Sequence, residues 1–328
     1  MNKIKIKVGN STRTVQAPES WDELDARTAL LVYNTLFSGL GDDLTRGAFT
    51  AVKLISLTQH LLAMPPDFMA KWEADCIRED AENGDLVFLE ELKQVMVATL
   101  AGLFDVVTDA ESGATGYAVK FNRTKNPWPA LTTSPPASSP KGGGKRANKA
   151  PKWYYGPKDG LANLTLYELG ITFGLYEEYL ETRDEQTANE LIAVLYRPSR
   201  PETQDERDSA WHGDRRQPYR RYEDKATERM KMVTTLPALT RRFLIFWFAG
   251  CREAIVRDYP KVFKKGKDAG GPNYGWGGLL LSLAETGTFG ALGETADQHY
   301  SNALTYLSMK EDERVEMERK LDGLKRVK

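Results

Sequence analysis

Residues 243–251 read FLIFWFAGC, an apolar run with Arg241 and Arg242 before it and Arg252 after it. The run is far shorter than the roughly 20 residues that a membrane-spanning helix needs, so it predicts a buried helix and no membrane partner. Such a helix demands a core around it, and a chain of 328 residues can supply one large domain or two ordinary ones. Helical spacing extends the buried face before the run, with the chain expected to enter the core at Leu236, Leu239, Phe243, Phe246 and Trp247.

A change of composition divides the chain. Residues 126–152, NPWPALTTSPPASSPKGGGKRANKAPK, hold proline, serine, glycine and lysine with almost nothing to bury, which predicts a linker or a long exposed loop. The expected organisation is an N-terminal lobe over 1–125, this linker over 126–152, and a C-terminal helical lobe over 153–328 with a charged excursion at about 199–230. The fold class expected is mainly α, two helical lobes with a small N-terminal β-hairpin.

In the first lobe, Ile4, Ile6 and Val8 alternate with lysines before the turn at GNS, a hairpin pattern. Ser20 and Glu23 have capping-box spacing, which predicts a helix from near Trp21. Apolar periodicity predicts further helices over 45–64, 66–82 and 86–104, with ENGD at 82–85 as a break. GYAVKFNRT at 116–124 alternates like a strand and is expected to pair with the opening hairpin. In the second lobe, a helical pair joined at TRDEQ stops at Pro198 and Pro201, and two more helices close the chain. Beyond Ser308 the last helix is charged, with i, i+4 pairs such as Glu316 and Lys320.

Near-neutral net charge, -1, excludes a bulk nucleic-acid binder, so any basic surface must be local. The two cysteines, Cys76 and Cys251, lie in helical patterns, which fits a reducing compartment and not a disulfide framework. The start, MNKIKIKVGN, has no long apolar stretch of the signal-peptide kind, and the expected location is the cytoplasm.

Enzyme and cofactor motifs are tested by spacing. Gly275 and Gly277 match the first half of a dinucleotide loop, but Leu280 stands at the third glycine and a basic loop precedes in place of a strand. Gly275, Trp276, Gly277 and Gly278 are read instead as a packing device that starts a buried helix against the helix from Leu236 to Tyr259, with Gly287 and Gly290 ending it. His60, His212 and His299 are widely separated, and no metal-binding spacing is present. Cys251 reads as a core hydrophobe, and Ser282 lacks a nucleophile elbow. No cofactor, metal or catalytic set is expected; an enzyme would need scattered groups such as His212, Asp214 and Glu285.

The stretch richest in chemistry is WHGDRRQPYRRYED. Here Trp211, Arg215, Arg216, Tyr219, Arg220, Arg221 and Tyr222 interleave arginine with aromatic rings, a set that contacts phosphates and bases or anchors protein interfaces. The competing reading is a solvated loop whose arginines pair with nearby acids such as Glu202, Asp205, Glu206, Asp208, Glu223 and Asp224. Lys141, Lys145, Arg146, Lys149 and Lys152 form a basic linker without compensating acids, which would hold nucleic acid weakly and in a salt-dependent way.

Several stretches taken together, APESWDEL, FNRTKNPWP, ANELIAVLYRP, LPALTRRFLIFWFAGCREAI and GWGGLLLSLAETGTFG, resemble proteins of the tail-gene modules of tailed phages and prophages. The resemblance implies a non-enzymatic role in virion morphogenesis, as an assembly chaperone or a minor structural component. It implies other tail or assembly proteins as partners and the bacterial host cytoplasm or the virion as location. The alternative is a nucleic-acid-binding protein that uses the basic linker and residues 211–222.

Overall fold

The computed structural model describes residues 2–8, 11–37, 57–58, 61, 77–79, 86–88, 98–108, 115–132, 152–200, 214–263 and 275–326. The protein is mainly α with a small antiparallel two-stranded sheet near its N-terminus. It divides into two compact units, Met1–Arg123 and Thr124–Lys328.

In the first unit, β1 (Asn2–Val8) and β2 (Ser11–Ala17) form the expected hairpin, with Ile4 opposite Val15 and Ile6 opposite Arg13. Ile6 is buried while Lys3 and Lys5 are exposed, so the lysine–isoleucine alternation sorts the two faces of the strand.

The helix expected at Trp21 is only a 3₁₀ turn, Trp21–Glu23; the Ser20 side chain makes no cap hydrogen bond, and the Glu23 carboxylate accepts from the Glu19 N–H at 2.9 Å. Helix α1 (Ala26–Phe37) starts later, because Asp25 supplies the better cap. Its carboxylate accepts from the Thr28 hydroxyl at 2.6 Å and from the N–H groups of Arg27 and Thr28 at 2.9 and 3.0 Å. The Thr28 hydroxyl above all holds the Asp25 carboxyl below the usual carboxylate range.

Two other expectations for this unit are corrected. β3 (Ile77–Glu79) pairs with β4 (Leu86–Phe88) where helices were expected over 66–82 and 86–104; of the second helix, residues 98–100 are helical as expected. The intervening ENGD carries Asn-Gly, a pair that favours strand reversal, so the break it marks lies between strands and not between helices. The 45–64 helix falls mostly outside the described residues; the three of its residues that are described, Leu57, Thr58 and Leu61, are helical.

β6 (Thr115–Val119) pairs with β5 (Phe104–Thr108) and not with the opening hairpin. Side chains tie the start of this unit to its end instead. The Asn122 amide oxygen accepts from the Trp21 N–H at 3.1 Å, and Arg123 donates to the carbonyls of Trp21 and Leu24 at 2.7 and 3.1 Å. Trp21 is fully buried, with its indole N–H 3.4 Å from the Leu103 carbonyl and its ring edge-on to Phe104.

The second unit opens earlier than composition suggests. β7 (Ala130–Thr132), β8 (Trp153–Tyr155) and β9 (Arg197–Pro198) form an antiparallel sheet in the order β7-β8-β9, with Thr132 opposite Trp153. The segment NPWPALT at 126–132 thus belongs to the fold and not to a linker. Leu131 is buried, Trp128 stands edge-on to Phe243, and the Asn126 amide oxygen accepts from the Tyr196 hydroxyl at 2.9 Å.

Helix α2 (Leu166–Thr182) and helix α3 (Glu185–Leu195) are joined at Arg183, which takes a left-handed φ of 56°, and at Asp184, which caps α3. Helix α4 (Ala226–Thr234) packs on α3, and helix α5 (Ala238–Asp258) carries the apolar run. Every residue from Phe243 to Cys251 is buried, as the run demands; the Trp247 indole donates to the Thr124 carbonyl at 3.0 Å.

Helix α6 (Gly275–Glu285) packs chiefly on α2 and on the short α7 (Leu292–Asp297), not on α5 as expected. Phe173 of α2 explains the change, since its ring contacts both Trp276 and Phe248 of α5. The close-approach glycine is Gly170 on α2, where an added Cβ would lie 3.0 Å from the Trp276 Cβ. Gly275 serves a left-handed start at φ 54°, and Gly277 faces open space, so the glycines beside Trp276 are not the packing device. Gly287, with a φ of 68°, ends the helix as expected, while Gly290, with a φ of 84°, lies five residues past Glu285 and leads into α7.

Replacing Gly170 by valine should cost about 1–3 kcal/mol by overpacking. Thermal unfolding of Gly170→Val, Trp276→Ala and the double variant checks this: coupling through the contact makes the double variant less destabilised than the sum of the singles. Additive losses would mean that the contact carries no such energy.

Helix α8 (Tyr300–Arg326) begins with Ala303 and Leu304 fully buried and is exposed along most of its length after Ser308.

Candidate functional site

The residues with most chemistry converge where α2 begins. Thr165 caps α2 in a capping box: its hydroxyl accepts from the Glu168 N–H at 3.2 Å, and Glu168 accepts from the Thr165 N–H at 3.4 Å. Glu168 has a second task. Its Oε1 accepts from Arg197 Nη1 at 2.5 Å and from the Tyr219 N–H at 3.4 Å, and its Oε2 lies 3.7 Å from Arg216 Nη2.

Arg197 and Arg216 are both 1% exposed. Arg216 donates to both oxygens of Asp214, at 2.7 Å from Nη2 and 2.9–3.0 Å from Nε, and to the carbonyls of Leu195 and Asn163. Arg197 also donates to the Gln217 carbonyl at 2.7 Å, with its Nη2 3.7 Å from Asp214. Arg200 Nε closes the group on the Arg216 carbonyl at 3.0 Å.

Removing so many ions from water costs several kcal/mol each, and only dense mutual pairing offsets it. Burial pushes the Asp214 carboxyl up, but the charge and hydrogen bonds of Arg216, with Arg197 behind, outweigh burial and hold it below the usual range. Burial and the neighbouring Arg216 charge pull the Arg197 guanidinium down. A carboxylate fixed in this way is a poor general base, because its lone pairs already face guanidinium donors.

A second clamp follows along the chain. Arg229, also 1% exposed, donates to the carbonyls of Ala193 and Tyr222 at 3.0 and 2.8 Å and stacks over the Tyr219 ring. Burial pushes the Tyr219 hydroxyl up to about 12. Arg220 is held by Asp297 at 2.6 Å.

The stretch read from sequence as one surface therefore splits in two. Arg216 and Tyr219 are buried, a correction to their reading as partner contacts: Glu168 and Asp214 draw the guanidinium inward, and Arg229 covers the ring. Arg215, Arg220 and Arg221 remain exposed and Tyr222 half-exposed, while Trp211 and His212 lie outside the described residues. The competing picture of a solvated loop fails for Arg216, which pairs with Asp214 and reaches Glu168 on α2; its expected partners Glu202, Asp205, Glu206 and Asp208 lie outside the described residues.

The cavity at this cluster measures about 30 Å³, room for a water or two. His299 stands on its rim with Nδ1 2.7 Å from the Ser301 hydroxyl and Nε2 against the Ala162 carbonyl, so both ring nitrogens are occupied. Cys251 is buried with its sulfur 3.6 Å from the Thr124 carbonyl; Ser282 and Glu285 are exposed on α6. Among the described residues no group of three or more His, Cys, Asp or Glu side chains could hold a metal ion.

Lys152 corrects the reading of an uncompensated basic linker. Its ammonium lies 2.6 Å from Glu228, which raises the lysine and lowers the carboxyl, and it sits over the Tyr154 ring. Lys141, Lys145, Arg146 and Lys149 lie outside the described residues.

Glu168, Arg197 and Arg229 did not stand out in the sequence. Thr165 and Glu168 do have capping-box spacing, and Arg197 follows the apolar LIAVLY, so a charge beside buried neighbours was the available signal.

Comparison with known protein families, characterised proteins and solved structures finds no match. Among the described residues, no helix is long and apolar enough to cross a membrane.

Proposed function

We propose that the protein is a non-enzymatic morphogenesis protein of a phage or prophage tail, acting through protein contacts made around residues 215–222. The tail assignment rests on the resemblance of the five sequence stretches given above. The mode of action rests on one observation: a buried clamp fixes the backbone from which Arg215, Arg221 and Tyr222 project. Arginine and tyrosine on a rigid base suit a protein interface, because little side-chain and loop entropy is lost on docking.

Nucleic-acid binding fits less well. Arg216, Arg220 and Lys152, three of its candidate cations, are already neutralised by Asp214, Asp297 and Glu228. A salt titration separates the two readings, since phosphate contacts weaken steeply with ionic strength.

Co-expression with the products of neighbouring genes, followed by pull-down, tests the proposal. The expected result is retention of a tail protein by the wild type and loss of at least tenfold in the Arg215→Glu, Arg221→Glu, Tyr222→Ala variant, with unchanged thermal unfolding. Retention of no tail protein under conditions that assemble tails would overturn the assignment. Undiminished retention by the variant would overturn the surface.

A further inference from the structure

Charge is spread unevenly along this chain. Residues 1–18 hold three lysines and one arginine and no acid, while the whole chain carries a net charge of -1. The hairpin of β1 and β2 gathers the lysines on one face. Its register sets Lys3 opposite Gln16 and Lys5 opposite Thr14, and continues the row to Lys7 opposite Thr12. Lys3, Lys5, Thr14 and Gln16 are all exposed, whereas Ile6 and Ala17 of the other face are buried.

Lysines elsewhere sit beside acids: Lys152 pairs with Glu228, Lys261 with Asp312 and Lys310 with Glu313. Lys3 and Lys5 have no carboxylate partner among the described residues. A row of such cations attracts anions, and the rest of the face selects among them. Lysine, threonine and glutamine are side chains that contact phosphate oxygens. No aromatic or apolar residue stands in the row or opposite it, so nothing there stacks on an unpaired base or enters a bilayer. Alternate residues of a strand are about 6.8 Å apart, which matches the axial advance of two phosphates along one strand of duplex DNA.

We propose that this face of the hairpin binds the phosphate backbone of duplex DNA without reading its sequence. Lys3 and Lys5 replace condensed counterions at the phosphates, with Lys7 next in the row, and Thr14 and Gln16 supply hydrogen-bond donors beside them. The cations weighed above for nucleic acid, at 211–222 and in the linker, lie elsewhere in the sequence. The inference needs neither them nor the tail assignment. Lysines also keep an exposed strand edge from pairing with other chains. Glutamate serves that purpose as well but repels phosphate, so exchange to glutamate separates the two roles.

The test is fluorescence anisotropy of the full chain with a short labelled DNA duplex of mixed sequence, titrated at several salt concentrations. For two to three phosphate contacts the affinity is expected to fall roughly 10- to 40-fold between about 50 and 200 mM salt. Lys3→Glu with Lys5→Glu should bind at least about tenfold more weakly at the lower salt and lose most of the salt dependence, with unchanged circular dichroism and molar mass. Lys3→Arg with Lys5→Arg should bind like the wild type. Lys158→Glu with Lys231→Glu, which changes net charge equally at two exposed lysines outside the hairpin, should leave binding unchanged. No binding by the wild type at low salt would overturn the proposal. Equal losses in the two glutamate variants would do so too, because net charge alone would then attract the duplex. A hairpin variant that binds like the wild type would place the contact elsewhere. Binding to vesicles of anionic lipid and not to the duplex, lost in the hairpin variant, would overturn the proposal in favour of a membrane surface.

Discussion

Replacing Glu168 by alanine is expected to lower the unfolding temperature of the second unit by roughly 6–20 °C. The reasoning starts from two guanidiniums, Arg197 and Arg216, each 1% exposed. Glu168 is the acceptor that Arg197 reaches at 2.5 Å and one of the two carboxylates near Arg216. Removing one member of a buried ionic group strands the others, at a cost of about 3–5 kcal/mol. For a unit of this size that is roughly 2–4 °C per kcal/mol. Thr165→Ala provides the control, because it removes the cap and leaves the ions, and should cost only about 1 kcal/mol. Equal losses in the two variants would show that Glu168 acts as a helix cap alone.

The same cluster sets an acid limit. The Asp214 carboxyl is held below its unfolded value of 3.8, so its stabilising contribution is complete above that pH and is lost as pH falls through the lower folded value. Asp214→Asn should therefore unfold more easily at neutral pH and show a flatter profile below about pH 4. An unchanged acid profile in that variant would remove Asp214 from the account.

The second large effect belongs to the first unit. A Cβ at Gly102 would lie 2.1 Å from the Pro18 carbonyl oxygen and 2.5–2.6 Å from backbone atoms of Glu19. No rotamer relieves a clash with main chain, so Gly102→Ala should cost about 3 kcal/mol or more, the upper end of overpacking. Hydrogen exchange should rise around Trp21 and Phe104, beside the displaced segment. Gly277→Ala is the contrast, since nothing lies within 4 Å of its Cβ position. Within a helix that change should stabilise by roughly 0.5–1 kcal/mol. Similar melting of the Gly102 variant and the wild type would refute the close approach.

How much of this was legible depended on whether the deciding contact was local. The lysine–isoleucine hairpin and the apolar run of α5 follow from neighbours in sequence, where alternation or continuity alone decides burial. The 3₁₀ turn at Trp21 was misread because a capping-box spacing competes with a stronger cap at Asp25. The strands at 77–79 and 86–88 were misread because short apolar runs fit a helix as well as a hairpin, and Asn83-Gly84 was given too little weight. Residues 126–132 looked like linker because their prolines hide how few side chains, Trp128 and Leu131 among them, are enough to anchor a strand. The ionic cluster joins Glu168 to Arg197, Arg216 and Tyr219, which no periodicity connects, and so only the folded chain brings them together.

The pairing of Thr132 with Trp153 carries one more consequence. Both ends of the proline-, serine- and glycine-rich stretch are fastened to adjacent strands of one sheet, so that stretch closes on itself inside the second unit. For a flexible connection between paired strands, added length costs only the entropy of closing a ring, about 0.6 kcal/mol for each doubling. Evolution, or an engineer inserting a tag or a small foreign domain, can lengthen the chain there at little cost to the sheet that holds its two ends.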